Sequence, residues 1–300
     1  MATLRLTPRA AGKIVFPGLI AWLLLPLAAA TPARACTLFA AAGSMVEGGG
    51  TIIAKNRDRS PRRSALRVSA PRDGFKHLAL VATDSPADPA AVAGINEKGL
   101  VVVDALPSSL ASEEENCGAV ALTQALLSQC ASVDEVLARR ELLGASYPVF
   151  EMVADRHKVA VIEVAPRGQV GVRVGDQGLL YHTNHYLDPR LLGANQKAYD
   201  SSSVRYRRIG QLLSRQRLPF ALEDFLAFSQ DRHDGPDNSI NRTGSTPTET
   251  RTLATWIVVQ LPGKAPRVLV RIANPGERQK IYNFRLEPAW WAKGLKEKLL

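Results

Sequence analysis

Aromatic residues make up only 6% of this chain, which also carries just three cysteines and three methionines. Nucleic-acid binding requires a basic stripe interleaved with aromatics, so their shortage argues against that partner. The net charge of +10 does not supply such a stripe. It is scattered, with local clusters only at Arg57, Arg59, Arg62 and Arg63 and at Arg205, Arg207 and Arg208. After the first 30 or so residues no apolar run approaches the length that spans a bilayer, so no integral membrane segment is expected beyond them. No His/Glu pair has the spacing of a helical metalloprotease site. There is no internal repeat, low-complexity tract or linker dividing residues 36–300, and one large domain is expected.

The cysteines are Cys36, Cys117 and Cys130. Gly118–Gln129 has the apolar spacing of a helix, which would separate Cys117 from Cys130 by about 20 Å at 1.5 Å per residue. A disulfide tolerates Cα atoms no more than about 7 Å apart, so no bridge is expected.

What the chain does have is a marked amino terminus. Arg5, Arg9 and Lys13 precede an apolar run from Ile14 to Ala30, and Ala33-Arg34-Ala35 supplies a small-x-small pattern. This reads as a secretory signal covering residues 1–35, with a periplasmic or secreted destination. Cleavage would make Cys36 the first residue, carrying a thiol and a free α-amine together. An amine with a reference pKa of about 7.7 to 8.0 is a base near neutral pH, and an adjacent amine is one way to activate a nucleophile. Two other readings stand beside this one: the anchor cysteine of a lipoprotein or non-catalytic envelope binding module, and an incidental cysteine. A lipoprotein signal prefers a large aliphatic residue where Ala33 stands.

Thr37–Ala42 and Thr51–Lys55 read as a hairpin around Glu47-Gly48-Gly49-Gly50, with Lys55-Asn56-Arg57-Asp58 near its open end. Residues 59–74, rich in Arg, Ser, Pro and Gly, read as a loop. Further strands are expected at Leu78–Ala82, Ala90–Ile95, Leu100–Ala105, Val149–Ala154, Lys158–Val164, Val170–Val174 and Leu179–Thr183. After the helix ending at Gln129, the capping box Ser132-Val133-Asp134-Glu135 starts a second that ends near Gly144. Ser203–Arg215 and Leu222–Gln230 read as helices, 231–251 as a long polar loop, and Leu253–Leu261, Val268–Ile272 and Ile281–Leu286 as closing strands. Trp290 and Trp291 mark a terminal amphipathic helix. The order suggests an α+β domain of two sheets covered by helices.

Cys36-Thr37, Asn56-Arg57-Asp58, Gly94-Ile95-Asn96-Glu97-Lys98-Gly99-Leu100, Thr183-Asn184-His185 and Ser203-Val204-Arg205 occur in an order that resembles the cysteine N-terminal-nucleophile (Ntn) hydrolases. Among these the chain is similar to the choloylglycine hydrolase and penicillin V acylase group and to the acyl-CoA:6-aminopenicillanate acyltransferases. The resemblance implies a four-layer αββα sandwich of two antiparallel sheets and cleavage or transfer of a linear, non-peptide N-acyl amide, a small-molecule substrate. It implies Cys36 as nucleophile with its own amine as base, Asp58 beside them, Asn184 as oxyanion donor and Arg205 as an electrostatic support. Arg207 or Arg208 is the alternative counterpart. Lys55 and Asn96 are matched to positions supporting substrate or oxyanion. Bile-salt-type relatives have arginine at Lys55 and a second asparagine where this chain has Asp104-Ala105-Leu106. No cofactor and no metal is expected. If residues 180–184 form a strand, His182 and His185 point to opposite faces. Self-association is left open.

Overall fold

Strand β1 (Ala35–Ala42) is buried along its whole length, as its sequence of small and apolar residues requires of a strand covered on both faces. It turns through Gly50, whose φ of +85° suits glycine and where a Cβ would stand 2.0 Å from the Gln260 carbonyl oxygen. The hairpin partner is β2 (Thr51–Arg59). A run of strands follows: β3 (Ser64–Ser69), β4 (His77–Ala82), β5 (Ala90–Asn96) and β6 (Val101–Ala105). Three short helices come next, α1 (Leu122–Gln129), α2 (Val133–Ala138) and α3 (Arg140–Gly144). Then β7 (Val149–Ala154), β8 (Val159–Ala165), β9 (Gln169–Gly175) and β10 (Gly178–His182) lead to α4 (Asp200–Arg215), α5 (Leu222–Ser229) and the single turn α6 (Gly235–Asn238). β11 (Arg251–Gln260), β12 (Arg267–Ile272), β13 (Lys280–Arg285), α7 (Pro288–Ala292) and β14 (Lys298–Leu299) complete the chain. The computed structural model describes residues 35–83, 90–111, 114, 121–215, 217–292 and 298–299. The expected signal segment ahead of Ala35, Cys117 with its relation to Cys130, and the start of the helix expected from Gly118 lie outside the described residues.

The strands form two antiparallel sheets. One has six strands in the order β10-β1-β2-β11-β12-β13, the other eight in the order β14-β3-β4-β5-β6-β7-β8-β9. Leu38, Ala40, Ile53, Leu66, Leu78, Val103, Met152, Val161 and Trp256 belong to one core cluster fed by both sheets. On the outer face of the six-stranded sheet, Phe39, Ala41, Ile52 and Ile257 pack against Ile209 and Leu213 of α4 and Phe225 and Phe228 of α5. On the outer face of the other sheet, Ala79, Val102, Val153 and Ile162 pack against Leu126, Leu127, Val133 and Leu143 of α1 to α3. The architecture is a four-layer αββα sandwich, with side chains alternating between the middle and outer layers along each strand. No helix among the described residues is long and apolar enough to cross a membrane.

Several boundaries differ from the sequence reading. β2 continues through Lys55, Asn56, Arg57 and Asp58, which are all buried. Ser64–Ser69, expected as loop, is a strand whose outward Ala65 and Arg67 alternate with buried Leu66 and Val68. The helix expected from Ser132 to Gly144 is broken at Arg139 into α2 and α3. Its cap is present, the Ser132 hydroxyl accepting from the Glu135 N–H at 3.2 Å, and Glu135 turns back to accept from the Ala131 N–H at 2.7 Å.

Helix α1 approaches β5 closely because position 94 is glycine. A Cβ there would lie 2.6 Å from Leu127 Cδ1 and 2.9 Å from the Leu78 carbonyl oxygen. Gly94→Ala is therefore expected to destabilise the protein by about 1–3 kcal/mol through overpacking, seen as a lower urea midpoint with an unchanged slope.

Candidate active site

Cys36 lies one residue inside β1, 8% exposed, in the cluster between the sheets. Its main chain is held by two side chains remote in sequence. The Cys36 N–H donates to Asn184 Oδ1 at 2.8 Å, and its carbonyl oxygen accepts from Arg205 Nη1. The same guanidinium donates through Nη2 to Asn184 Oδ1 at 3.0 Å and through Nη1 to Thr37 Oγ1 at 3.1 Å. Asn184, just after the end of β10, donates from Nδ2 to the Leu106 carbonyl at 2.7 Å, and its own N–H donates to Ser202 Oγ at 2.7 Å. One Nδ2 hydrogen is thereby committed, and the amide carries a second.

Arg205 reaches this point because α4 buries Ser202, Arg205, Ile209 and Leu213, the three- and four-residue spacing of one helix face. Arg207 is exposed. Arg208 pairs with Asp231, Nη2 to Oδ2 at 2.6 Å. Of the three arginines, the fold brings Arg205 to Cys36.

Asp58 stands directly opposite Ala35 in the β1–β2 ladder. Thr252 Oγ1 donates to its Oδ1 at 2.7 Å, while the Arg242 N–H donates to that hydroxyl at 2.9 Å. Burial raises the Asp58 carboxyl to about 6, against the pull of Arg205, Arg242, Thr252 and Lys55. Burial lowers Arg205 to about 10, opposed by Asp58, so it stays charged at neutral pH. Asp58 Oδ2, Arg205 Nε, and Arg242 Nε and Nη1 are buried without a hydrogen-bond partner. Such unpartnered groups are costly, and they mark a place where additional donors and acceptors would be accommodated favourably.

Lys55 extends from β2 toward the second sheet, forming an ion pair with Asp104 Oδ1 and donating to the Val92 carbonyl at 2.6 Å. Burial raises the Cys36 thiol; Lys55 and the Asp58 N–H lower it, while Asp104 and Asp58 add to the rise. A buried thiol in this state is a weak nucleophile until a base takes its proton.

Asn96 is not part of this group. Its Nδ2 donates to the carbonyls of Leu127 and Cys130, at 2.9 and 2.7 Å, and its Oδ1 accepts from the N–H groups of Lys98 and Leu100. Both donors and both acceptor positions of the side chain are used, so Asn96 shapes the β5–β6 turn and closes α1 instead of supporting an oxyanion. The sequence reading also missed Thr252, Arg242 and Ser202. Thr252 is recognisable only from the cross-strand register that sets it against Asp58, and Arg242 sits in the polar stretch 231–251 that carries no motif.

The histidines have other partners. His182 Nε2 lies 3.2 Å from Glu163 Oε1. His185 Nδ1 lies 2.8 Å from Ser202 Oγ, and its ring stacks on Tyr199 at 4.6 Å. Burial lowers His185 to about 4, so it is neutral near pH 7. Among the described residues no group of three or more His, Cys, Asp or Glu is placed to hold a metal ion.

Residues 45–276 match the family described as acyl-coenzyme A:6-aminopenicillanic acid acyl-transferase, and the chain belongs to that family. Its fold is that of the Ntn hydrolases. It is similar to a mutant of the conjugated bile acid hydrolase from Clostridium perfringens, with a TM-score of 0.50 and 16% identity over 88% of this chain and 96% of that one. It is also similar to the Caenorhabditis elegans ortholog of N-acylethanolamine-hydrolyzing acid amidase, with a TM-score of 0.52 and 15% identity over 76% and 94% of the two chains. No curated protein sequence matches.

Asp58 gives a pH prediction for protein that still carries residues ahead of Cys36. The folded carboxyl titrates at about 6 against 3.8 for the ordinary group. Between those values the folded state holds the proton more tightly, so this contribution is complete below about pH 4 and is lost as pH rises through about 6. Asp58→Asn lacks it. Relative to wild type, the variant should gain on the order of 2 kcal/mol between pH 4 and pH 7 in urea unfolding.

Proposed function

We propose that the chain is an exported amidohydrolase with an N-terminal cysteine nucleophile, acting on linear N-acyl amides through a thioester. The observation that carries this reading is the setting of the Cys36 nitrogen, buried 2.8 Å from Asn184 Oδ1 on the strand whose neighbour brings the half-satisfied Asp58 opposite Ala35. Removal of residues 1–35 at the Ala33-Arg34-Ala35 pattern turns that nitrogen into an amine. Asp58 Oδ2 then has a donor to accept from, and a nearby carboxylate favours the ammonium formed when the amine takes a proton.

In this mechanism the amine removes the thiol proton and the sulfur attacks the acyl carbonyl. The remaining Nδ2 hydrogen of Asn184 donates to the oxyanion. Collapse breaks the C–N bond, and the ammonium returns its proton to the leaving amine. Water then attacks the thioester, the α-amine again taking and returning the proton, and the carboxylic acid and thiol are released. The family description favours a second outcome, acyl transfer, in which an acceptor replaces water at the acyl-enzyme. Both outcomes use the same residues. A lipid anchor fits less well, because Cys36 is buried between two sheets. Export to the periplasm or medium follows from reading residues 1–35 as a signal.

The decisive test uses protein that keeps a few uncleaved residues before Cys36. It should fold and be inactive toward a panel of N-acyl amides, and gain activity when a protease trims it to Cys36, because an amide nitrogen cannot accept the thiol proton. Cys36→Ala should be inactive in the trimmed form. Full activity of the extended form would discard the mechanism.

Asn184→Ala should slow acylation by about 100-fold or more, the scale of one oxyanion donor, with substrate binding much less affected. Single-turnover kinetics separate the two; a change confined to apparent binding would make Asn184 a pocket residue.

A further inference from the structure

Behind Lys55 lies a second carboxylate that the mechanism above does not use. Asp104 on β6 and Glu151 on β7 are directly opposite each other in the ladder. Both are buried. Alternation along their strands sets them with Val102, Val149 and Val153, on the face covered by α1. Lys55 reaches Asp104 from the opposite side of the sheet. The β5–β6 pairing ends at Ala93 and Val103, and one step further the Lys55 ammonium takes the Val92 carbonyl and Asp104 Oδ1. On the far side, Glu151 Oε1 accepts from Thr123 Oγ1 of α1 at 2.7 Å, and Oε2 is buried without a partner. The groups facing Glu151 are thus Asp104 from β6, Lys55 from β2 and Thr123 from α1; the next α1 residue, Gln124, is engaged with His77 of β4.

Two buried carboxylates in direct opposition, with one ammonium between them and the solvent-free core, cannot both ionise cheaply. We propose that Glu151 is a positioning residue for the Cys36 thiol: it is held as a neutral acid against Asp104, so that the Lys55–Asp104 pair stays neutral beside the sulfur. Were Glu151 to ionise, the trio would carry a net negative charge next to a developing thiolate. Burial and the neighbouring Asp104 both raise the Glu151 carboxyl well above its ordinary range, in keeping with this arrangement. The proposal rests on reading Cys36 as the nucleophile, yet neither readout below requires turnover, so a failure of that reading is seen separately in the trimming experiment.

Glu151→Gln mimics the neutral acid. At pH 8, where Asp58 at about 6 is ionised, wild-type protein should give the infrared carbonyl band of a neutral carboxylic acid, absent from Glu151→Gln. Alkylation of Cys36, followed site by site by mass spectrometry, should proceed alike in both proteins at pH 7. Above whatever pH abolishes the wild-type band, the variant should become faster by about tenfold, the equivalent of one pH unit in the thiol. Retention of the band in the variant, or alkylation profiles that stay superimposable after the wild-type band is lost, would overturn the proposal. If Glu151→Gln does not fold, Thr123→Val serves instead. Losing the hydroxyl that favours the charged form, it should carry the band to higher pH than wild type, and an unmoved band would count against the idea.

Discussion

The arrangement of this molecule depends on how one guanidinium is neutralised inside it. Arg205 is buried at the junction of α4, β1 and the end of β10, and its two terminal nitrogens are spent on the Cys36 carbonyl, the Thr37 hydroxyl and Asn184 Oδ1. A guanidinium in such a place is tolerated only when oxygen atoms are fixed around its plane and a negative charge stands near; Asp58 is that charge. The demand works in both directions. The cation needs rigid acceptors, and the strand carrying Cys36 obtains from it a fixed position for both polar groups of the residue. Asn184 completes the frame because its Oδ1 serves two donors at once while Leu106 and Ser202 fix its orientation.

The layers were legible from apolar patterning, since β1, β8 and β11 are rich in small and apolar residues and α4 shows its buried stripe. Arg205 was legible only as one of three candidates; the stripe of Ser202, Ile209 and Leu213 is the feature that separates it from Arg207 and Arg208. The polar end of β2 was hidden for a physical reason. Lys55, Asn56, Arg57 and Asp58 have the composition of an exposed turn, and Lys55, Asn56 and Asp58 are each met by a partner from a distant segment. Asn56 alone ties the carbonyls of Ser229 and Ile240 to the sheet and accepts from Thr255. Asn96 misled in the opposite sense: the motif around it reflects the geometry of a turn, and its amide is exhausted by α1 and its own loop. β3 escaped notice because Arg62, Arg63 and Arg67 gave its surroundings the look of loop.

Both sheets contribute to the environment of the sulfur. The six-stranded sheet supplies Cys36, Lys55 and Asp58, whereas Asp104, which sets the charge balance of Lys55, belongs to the eight-stranded one. The layer between them is largely hydrocarbon, so these charges interact in a medium that screens them weakly. A change in the relative position of the sheets would alter the ion pair before it altered the hydrogen bonds inside either sheet.

The contacts that define the cysteine close very long stretches of chain: 148 residues to Asn184, 169 to Arg205, and 194 between Asp58 and Thr252. Ordering such loops costs entropy that only completed packing offsets, which makes distant pairings late events in folding. A partly synthesised or partly folded chain therefore has the thiol without the groups that orient and charge it. The frame around the Cys36 main chain is therefore complete only when α4 has docked and the six-stranded sheet has closed.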